Sequence, residues 1–203
     1  PCLETGERNL TKYYNYYNEN KGTDEYYNFL MKKKVDQFYK NLESGTPDKS
    51  AVISECIASL KRMKEMCDEH HVEFQVFFGS VFSGQMIGYE GDSLYDFMRQ
   101  VVQVAGDTWF FNTFNDVAMN PYNYYDIAHY YYEIGDMMID TMAGKPSQYY
   151  NFGILLNADN IEQEIARRRT YLNEWKGYYA EHGTLPFQDI DDSSLVPKVY
   201  GDQ

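Results

Sequence analysis

The sequence predicts an α/β domain with a parallel β-sheet, because two helix–strand pairs follow each other along the chain. The first pair is a helix over about 47–70 followed by the apolar run VEFQVFF at 72–78. The second is a helix from about 92 to 104 followed by a short strand, TWFFN, at 108–112. In two successive units of this kind, each helix crosses over to a strand parallel to the previous one.

The composition is that of a globular, acidic chain. Hydrophobic residues make up 43% of the 203 residues, which suits one well-cored domain. Thirty-one acidic residues stand against 18 basic ones, and the resulting charge of −13 argues against nucleic acid or an anionic membrane as the main partner. No run of about 18 apolar residues is present, so nothing in this sequence is expected to span a bilayer.

The chain divides into three regions. Residues 1–45 predict a polar, helical N-terminal segment, with a helix over about 24–43, and a Ser-Gly-Thr-Pro run ends it. Residues 46–182 carry the α/β pattern, and residues 183–203 predict an irregular acidic tail.

The helix over about 47–70 has the clearest pattern in the chain. Thr46 is expected to cap it, with Pro47 at the first helical position. Its apolar residues recur with the helical period and predict a buried face. That face comprises Val52, Ile53, Cys56, Ile57, Leu60, Met63, Met66 and Cys67.

The later helices have recognisable ends. Asp92 or Ser93 is expected to cap the helix to about 104, and Gly106 to end it. A helix that carries Ile134, Met137, Met138, Ile139 and Met142 is expected to stop at Gly144. The segment between Gly144 and the last helix, which includes the apolar run at 154–156, is expected to be a loop.

The last helix is expected to begin at the capping box Asp159-Asn-Ile-Glu162 and to run to about Tyr179. It is predicted to bury Ile161, Ile165, Leu172 and Trp175, while the run Arg167-Arg168-Arg169 faces solvent.

The three cysteines, Cys2, Cys56 and Cys67, form no CxxC motif. Cys56 and Cys67 lie eleven residues apart on one predicted helix, roughly 16 Å along its axis. That distance is too long for a disulfide, so we interpret the thiols as buried or incidental.

Asp126 and His129 form the candidate catalytic pair. The carboxylate lies three residues before the imidazole, in a tyrosine-rich segment at the entrance of a helix. A carboxylate that accepts the Nδ1–H fixes the imidazole tautomer and leaves the other ring nitrogen to take a proton from a nucleophile. The pattern therefore predicts hydrolytic chemistry with His129 as the base and Asp126 as its orienting partner.

A metal-dependent enzyme is the weakest alternative. It would have only His70, His71, His129 and His182 to draw on, and these lack close spacing. His70 and His71 end a helix, where imidazolium interacts favourably with the helix dipole. We predict no metal and no cofactor.

Gly91-Asp92-Ser93-Leu94 spells the GDSL signature of an esterase family. That chemistry needs the serine on a turn that directly follows an apolar strand. The preceding residues, GQMIGYE, contain two glycines and predict no strand, whereas an amphipathic helix follows. We therefore interpret Ser93 as a cap or first-turn residue and not as a nucleophile.

Four segments together resemble the C-terminal half of a bacterial SGNH-hydrolase-like family, over about residues 50–170. They are VEFQVFF, TWFFNTFN, NYYDIAHYYYEIGDMMIDTMAG and FGILLNADNIEQEIARRR. The family is related to the D-alanine transfer proteins of lipoteichoic acid assembly and to other envelope acylation factors. The resemblance implies a three-layer, flavodoxin-like domain and assigns Asp126 and His129 to the last catalytic block. It also implies an extracytoplasmic location, a membrane anchor outside this chain and a membrane-bound acyltransferase as a partner.

The chain departs from that family in one respect. The family's first block, a strand that ends in the nucleophilic serine, has no counterpart in residues 1–50. The glycine and asparagine of its oxyanion hole have no assigned positions, although Asn112, Asn115 and Asn120 lie near in sequence. The chain is therefore either the C-terminal part of a longer protein or a diverged member without the full constellation.

Two functions follow from these observations. The first is an SGNH-type esterase or acyltransferase that acts on ester-linked acyl groups of an envelope carbohydrate or polymer, with the serine upstream of this chain. In that enzyme, tyrosines around His129 could stack on sugar rings; they are Tyr122, Tyr124, Tyr125, Tyr130, Tyr131 and Tyr132. The alternative is a non-catalytic binding or assembly subunit that keeps the fold without a nucleophile.

Overall fold

The computed structural model describes residues 48–112, 114–120, 123–124, 128–145, 147, 149 and 151–184. The predicted N-terminal helix at 24–43 and the predicted tail beyond residue 184 lie outside the described residues.

The described part is a mixed α/β structure around a three-stranded sheet. Its strands are β1 (Val76–Phe78), β2 (Thr108–Phe110) and β3 (Ile154–Leu156), in the spatial order β1-β2-β3. β1 and β2 pair in parallel, with Val76 opposite Thr108. The predicted α/β class and the parallel pairing of these two strands are therefore confirmed, although both strands are shorter than predicted.

β3 corrects the predicted loop between Gly144 and the last helix. It pairs antiparallel to β2, with Ile154 opposite Phe110. A three-residue strand is too short for alternation to distinguish it from an apolar turn, so the sequence pattern did not reveal it.

The described part of the chain contains six helices, which pack around the sheet. They are α1 (Ser50–Glu69), α2 (Ser83–Met86), α3 (Asp92–Ala105), α4 (Asp116–Met119), α5 (Tyr132–Met142) and α6 (Ile161–His182), with a 3₁₀ turn at Ile87–Tyr89. The predicted C-terminal ends of two helices are confirmed. Gly106 follows α3 and Gly144 lies just after α5, and both glycines have a positive φ. α6 runs three residues beyond its predicted end and stops at Gly183 in the left-handed conformation.

The predicted buried face of α1 is only partly covered. α1 begins at Ser50, whose backbone N–H donates to the Asp48 carboxylate at 2.8 Å. Ile57 is buried, but Val52, Met63 and Met66 are 58%, 49% and 61% exposed. The helical period was correct, and the prediction that the whole face is core was wrong, because the described elements cover only one side of it.

The predicted capping box of α6 does not form. Asn160 is the N-cap residue, and no side chain accepts a cap hydrogen bond there. The Asn160 amide instead donates to the Leu155 carbonyl at 2.8 Å and accepts from the Asn157 N–H at 2.9 Å. The side chain therefore ties the start of α6 to the edge strand β3.

Helices contact both faces of the sheet. On one face, Phe78, Phe110 and Leu156 pack with α3 and with the first turns of α6, in a cluster that includes Met98 and Ile165. Trp109, which alternates with Phe110 and so points to the other face, packs in a second cluster that includes α5. Helices therefore cover both faces of the sheet at β2, whereas Phe77 of β1 is 49% exposed.

Gly153 is the glycine at which an added methyl group is expected to disrupt the core. Its φ is +83°, and a Cβ there would lie 2.6 Å from Phe111 Cε1 and 3.0 Å from Thr141 Cγ2. Phe111 is fully buried and cannot yield without opening the core around it.

Gly153→Ala is therefore expected to lower the free energy of unfolding by about 1–3 kcal/mol more than an alanine substitution at a glycine that has the same positive φ but no close neighbour. Gly144→Ala is the matched control, because Gly144 has a φ of +80° and nothing within 4 Å of its Cβ position. Urea denaturation of both variants measures the difference, and equal losses would contradict the steric explanation.

Candidate active site

The carboxyl ends of β1 and β2 lie side by side and form the floor of the candidate site. Gly79 and Ser80 follow β1, and Phe111 and Asn112 follow β2. The Phe111 N–H donates to the Phe78 carbonyl at 2.9 Å, so the two strand ends are joined up to this point. In open α/β sheets this end of the strands is where ligands bind.

Two described residues on either side of His129, Tyr124 and Tyr130, hold the segment around it (the His129 segment) at the carboxyl end of β1. The Tyr124 hydroxyl lies 2.7 Å from Ser80 Oγ, and Tyr124 pairs with Tyr130 in an isolated antiparallel bridge. The Tyr130 ring lies against Gly79, where a Cβ would be 3.5 Å from Tyr130 Cε1. His129 directly precedes Tyr130 and is exposed. The imidazole is therefore carried on a backbone that is fixed next to the end of β1.

The bond between Ser80 and Tyr124 is an anchor in the interior. Both residues are almost completely buried, at 1% and 3% exposure. Burial raises the pKa of Tyr124, so its hydroxyl stays neutral and either hydroxyl can donate the hydrogen bond between Tyr124 and Ser80. Ser83 is also 1% exposed. Neither serine presents its hydroxyl to solvent, and Ser80 positions the His129 segment through Tyr124.

Asp126 lies outside the described residues. The predicted carboxylate–imidazole pair of Asp126 and His129 therefore stays a prediction.

The asparagines near this end of the sheet have structural partners. Asn115 caps α4, where its side-chain oxygen accepts from the Ala118 N–H at 2.9 Å. The Asn123 amide donates to the Val117 carbonyl at 2.9 Å, and the Asn112 amide donates to Met86 Sδ at 3.0 Å. Asn120 is buried as well. These contacts shape the loop after β2 and do not assign an oxyanion hole.

Arg168 corrects the prediction that the arginine run faces solvent. Its side chain is 0% exposed and forms a buried ion pair with Glu90, whose side chain is also 0% exposed. Its Nη1 donates to the Asn112 carbonyl at 2.7 Å, and its guanidinium lies over the ring of Phe110 at 5.1 Å. Arg168 thus ties the segment before α3 and the segment after β2 to α6, at the same end of the sheet as the candidate site.

The spacing of apolar residues on α6 indicates that Arg168 is buried. Ile161, Ile165 and Trp175 are buried, and position 168 falls on the same helical stripe, three residues after Ile165 and seven before Trp175. Arg169, one position away, is 53% exposed and pairs with the exposed Asp92 at 2.8 Å. Only the middle arginine of the run is therefore part of the core.

The start of α3 differs from the predicted cap. Gly91 is the N-cap residue and no side chain caps the helix, so Asp92 and Ser93 lie in its first turn. The Asp92 carboxylate is used instead by Arg169, and this ion pair joins the start of α3 to α6. Ser93 follows no strand in the described structure, since α2 and the 3₁₀ turn separate it from β1.

We therefore expect Ser93→Ala to cost at most about 1 kcal/mol of stability, because the hydroxyl is not the helix cap. We also expect a fluorophosphonate ester to leave Ser93 unlabelled in the 203-residue chain, which mass spectrometry of tryptic peptides would measure. Specific labelling of Ser93 that the alanine variant abolishes would make Ser93 the nucleophile.

Comparison of the chain with known protein families, with curated proteins and with solved structures finds no match. No group of three or more His, Cys, Asp or Glu side chains in the described part of the chain is arranged to hold a metal ion. Among the described helices, none is both long enough and apolar enough to cross a membrane.

Proposed function

We propose that this chain is the base-carrying half of an SGNH-type esterase or acyltransferase that acts on ester-linked acyl groups of an envelope carbohydrate or polymer. In this proposal the domain is of the three-layer, flavodoxin-like type. His129 is the general base, Asp126 orients its ring, and the nucleophilic serine comes from sequence upstream of Pro1. The protein is extracytoplasmic and anchored by a segment outside this chain, and it works with a membrane-bound acyltransferase.

The observation that carries this proposal is the position of the His129 segment. Tyr130 packs on Gly79 and Tyr124 bonds to Ser80, so both tyrosines hold the segment at the carboxyl end of β1. This is the end of a parallel sheet at which a base must lie to meet a serine that follows a neighbouring strand. No metal or cofactor is needed for such acyl transfer.

The tyrosines around His129 divide into packing and surface residues. Tyr124 and Tyr131 are buried, at 3% and 4% exposure, and Tyr130 is half-buried. Tyr132 is 57% exposed, only three residues after His129. Tyr132 is therefore the aromatic side chain that we assign to stacking on a sugar ring. Tyr122 and Tyr125 lie outside the described residues.

A binding or assembly subunit without catalysis is the second candidate. It is favoured by the burial of Ser80 and Ser83, the two serines that follow β1 most closely. Neither residue offers an exposed hydroxyl that could act as a nucleophile. This candidate keeps the carbohydrate surface at Tyr132 and does not use His129 as a base.

The experiment that separates the two candidates measures acyl release from an O-acetylated polysaccharide by the complete gene product. We expect acetate release that requires a serine upstream of Pro1, and transfer of the acetyl group when a sugar acceptor is supplied. Retention of the polysaccharide on the immobilised protein without any acetate release would reject the enzyme and support the binding subunit.

A further inference from the structure

A short helical segment after β1 presents one pair of side chains to solvent. From Phe82 to Glu90, which includes α2 and the 3₁₀ turn, every residue is buried except Gln85 and Tyr89. Gln85 is half-buried, and Tyr89 is 41% exposed. The Gln85 side-chain amide donates to the Tyr89 hydroxyl at 3.1 Å. The segment is therefore part of the core and exposes two bonded side chains, which we call the amide–aromatic pair.

This segment lies at the same end of the sheet as His129. It follows the carboxyl end of β1, and α2 packs against α4, the short helix that follows β2. Ile87 packs in one core cluster with Tyr124, and Tyr130 packs against that cluster. Tyr130 directly follows His129. The amide–aromatic pair and the exposed imidazole therefore lie on elements that share one core cluster.

Buried neighbours on both sides fix the backbone of Tyr89. Gly88 is buried, and the carboxylate of Glu90 is in the buried ion pair with Arg168. The hydrogen bond from Gln85 also restricts the Tyr89 ring. An exposed ring that is held in one orientation loses little side-chain entropy when a ligand binds to it. The amide–aromatic pair is therefore preorganised for binding.

The chemistry of the pair fits a carbohydrate. The ring of Tyr89 offers an apolar face on which the C–H face of a sugar stacks. The Gln85 amide provides a carbonyl acceptor and N–H donors, and the Tyr89 hydroxyl provides a further donor, all suited to sugar hydroxyl groups. Neither side chain carries a charge, so the pair favours a neutral polyhydroxylated ligand over an ionic one.

We propose that the amide–aromatic pair is a second carbohydrate subsite, and that the substrate is an extended polysaccharide chain that reaches from this subsite to Tyr132. Tyr89 stacks on one sugar unit, Gln85 bonds to the hydroxyl groups of that unit, and Tyr132 stacks on another unit. The inference rests on the proposed function, which supplies the sugar contact at Tyr132. It adds that acyl groups are released within a polymer chain and that a free monosaccharide is a poor substrate.

Loss of the Tyr89 ring is expected to weaken binding of the polymer. The measurement is affinity electrophoresis of the complete gene product through a gel that contains an O-acetylated polysaccharide. We expect the dissociation constant to rise about 10-fold in Tyr89→Ala, because the stacking contact is lost. Tyr89→Phe keeps the ring and loses only the hydroxyl, so its dissociation constant should rise by at most about 3-fold.

Steady-state kinetics measure whether the subsite serves the reaction. The ratio of kcat/KM for the polysaccharide to kcat/KM for p-nitrophenyl acetate should fall about 10-fold in Tyr89→Ala, because the small ester has no sugar unit for the subsite. The change should lie in KM for the polysaccharide and not in kcat. That division is expected when a contact is lost equally from the ground state and from the transition state.

Met66→Ala is the matched control for the loss of an exposed apolar side chain. Met66 is 61% exposed on the last turn of α1, which leads into the amino end of β1, the end opposite to the candidate site. Its dissociation constant and its kinetic ratio should equal those of the parent protein. The thermal stability of Met66→Ala and Tyr89→Ala should match that of the parent, because both positions are exposed.

Two results would overturn the subsite. One is a parent protein that the polysaccharide does not retard, and the other is equal retardation of Tyr89→Ala and the parent. The subsite and the proposed function fail separately. Retardation that depends on Tyr89 in a protein that releases no acetate supports the subsite and rejects only the enzyme. Acetate release from the polysaccharide that does not depend on Tyr89 rejects only the subsite.

Discussion

Methionine in place of Arg168 is expected to lower the free energy of unfolding by about 3–5 kcal/mol. The change leaves the Glu90 carboxylate without its cation at a position where both side chains are 0% exposed. It also removes the hydrogen bond to the Asn112 carbonyl, which holds the segment after β2. Guanidinium denaturation followed by tryptophan fluorescence is a suitable measurement, because Trp109 lies on β2 and Trp175 on α6, in two different core clusters.

Two further variants show whether the loss of stability comes from the unpaired buried charge or from a general disturbance of α6. Arg169→Met removes an ion pair in which both partners are exposed, at 53% and 86%, so we expect no measurable loss of stability. Adding Glu90→Gln to Arg168→Met removes the isolated charge and should recover a clear part of the loss. If Arg168→Met costs no more than Arg169→Met, the buried pair does not stabilise the fold as described.

Glutamine in place of His129 is expected to reduce kcat/KM for acyl release by the complete gene product by about 10²–10⁴-fold. Glutamine keeps a polar side chain at the exposed position but cannot take a proton from the proposed nucleophile. His70→Gln is the matched control, since His70 is an exposed imidazole that caps the C-terminus of α1. It should leave kcat/KM unchanged.

The thermal stability of His129→Gln should be measured together with its activity. His129 is exposed, so the thermal stability of the variant should match that of the parent protein while activity is lost. An unchanged kcat/KM would show that His129 is not the base and would favour the binding-subunit candidate.

The sequence pattern predicted the α/β class and the ends of most helices, because these depend on local signals. Gly106 and Gly144 stop α3 and α5 with positive φ, as a residue without a Cβ allows. The parallel pairing of β1 and β2 followed from the helix between them. The pattern could not reveal β3, because three apolar residues without alternation gain their strand character only by pairing with β2.

The burial of individual side chains was harder to predict, because it depends on tertiary neighbours. The run of three arginines predicts solvent exposure for Arg168, although the helical period of α6 places it on the buried stripe with Ile165 and Trp175. Conversely, the period of α1 predicts a core position for Met63, and the described elements leave it half exposed. At the candidate site, the sequence indicated His129, but the anchoring bond between Ser80 and Tyr124 joins residues 44 positions apart and has no local pattern.

The most direct test of the account is to identify which serine of the complete gene product reacts with a fluorophosphonate ester. We expect labelling at a serine upstream of Pro1, with the labelling rate greatly reduced in His129→Gln and unchanged in His70→Gln. Labelling at Ser93, or labelling of an upstream serine that does not depend on His129, would contradict the assignment of His129 as the base of the site.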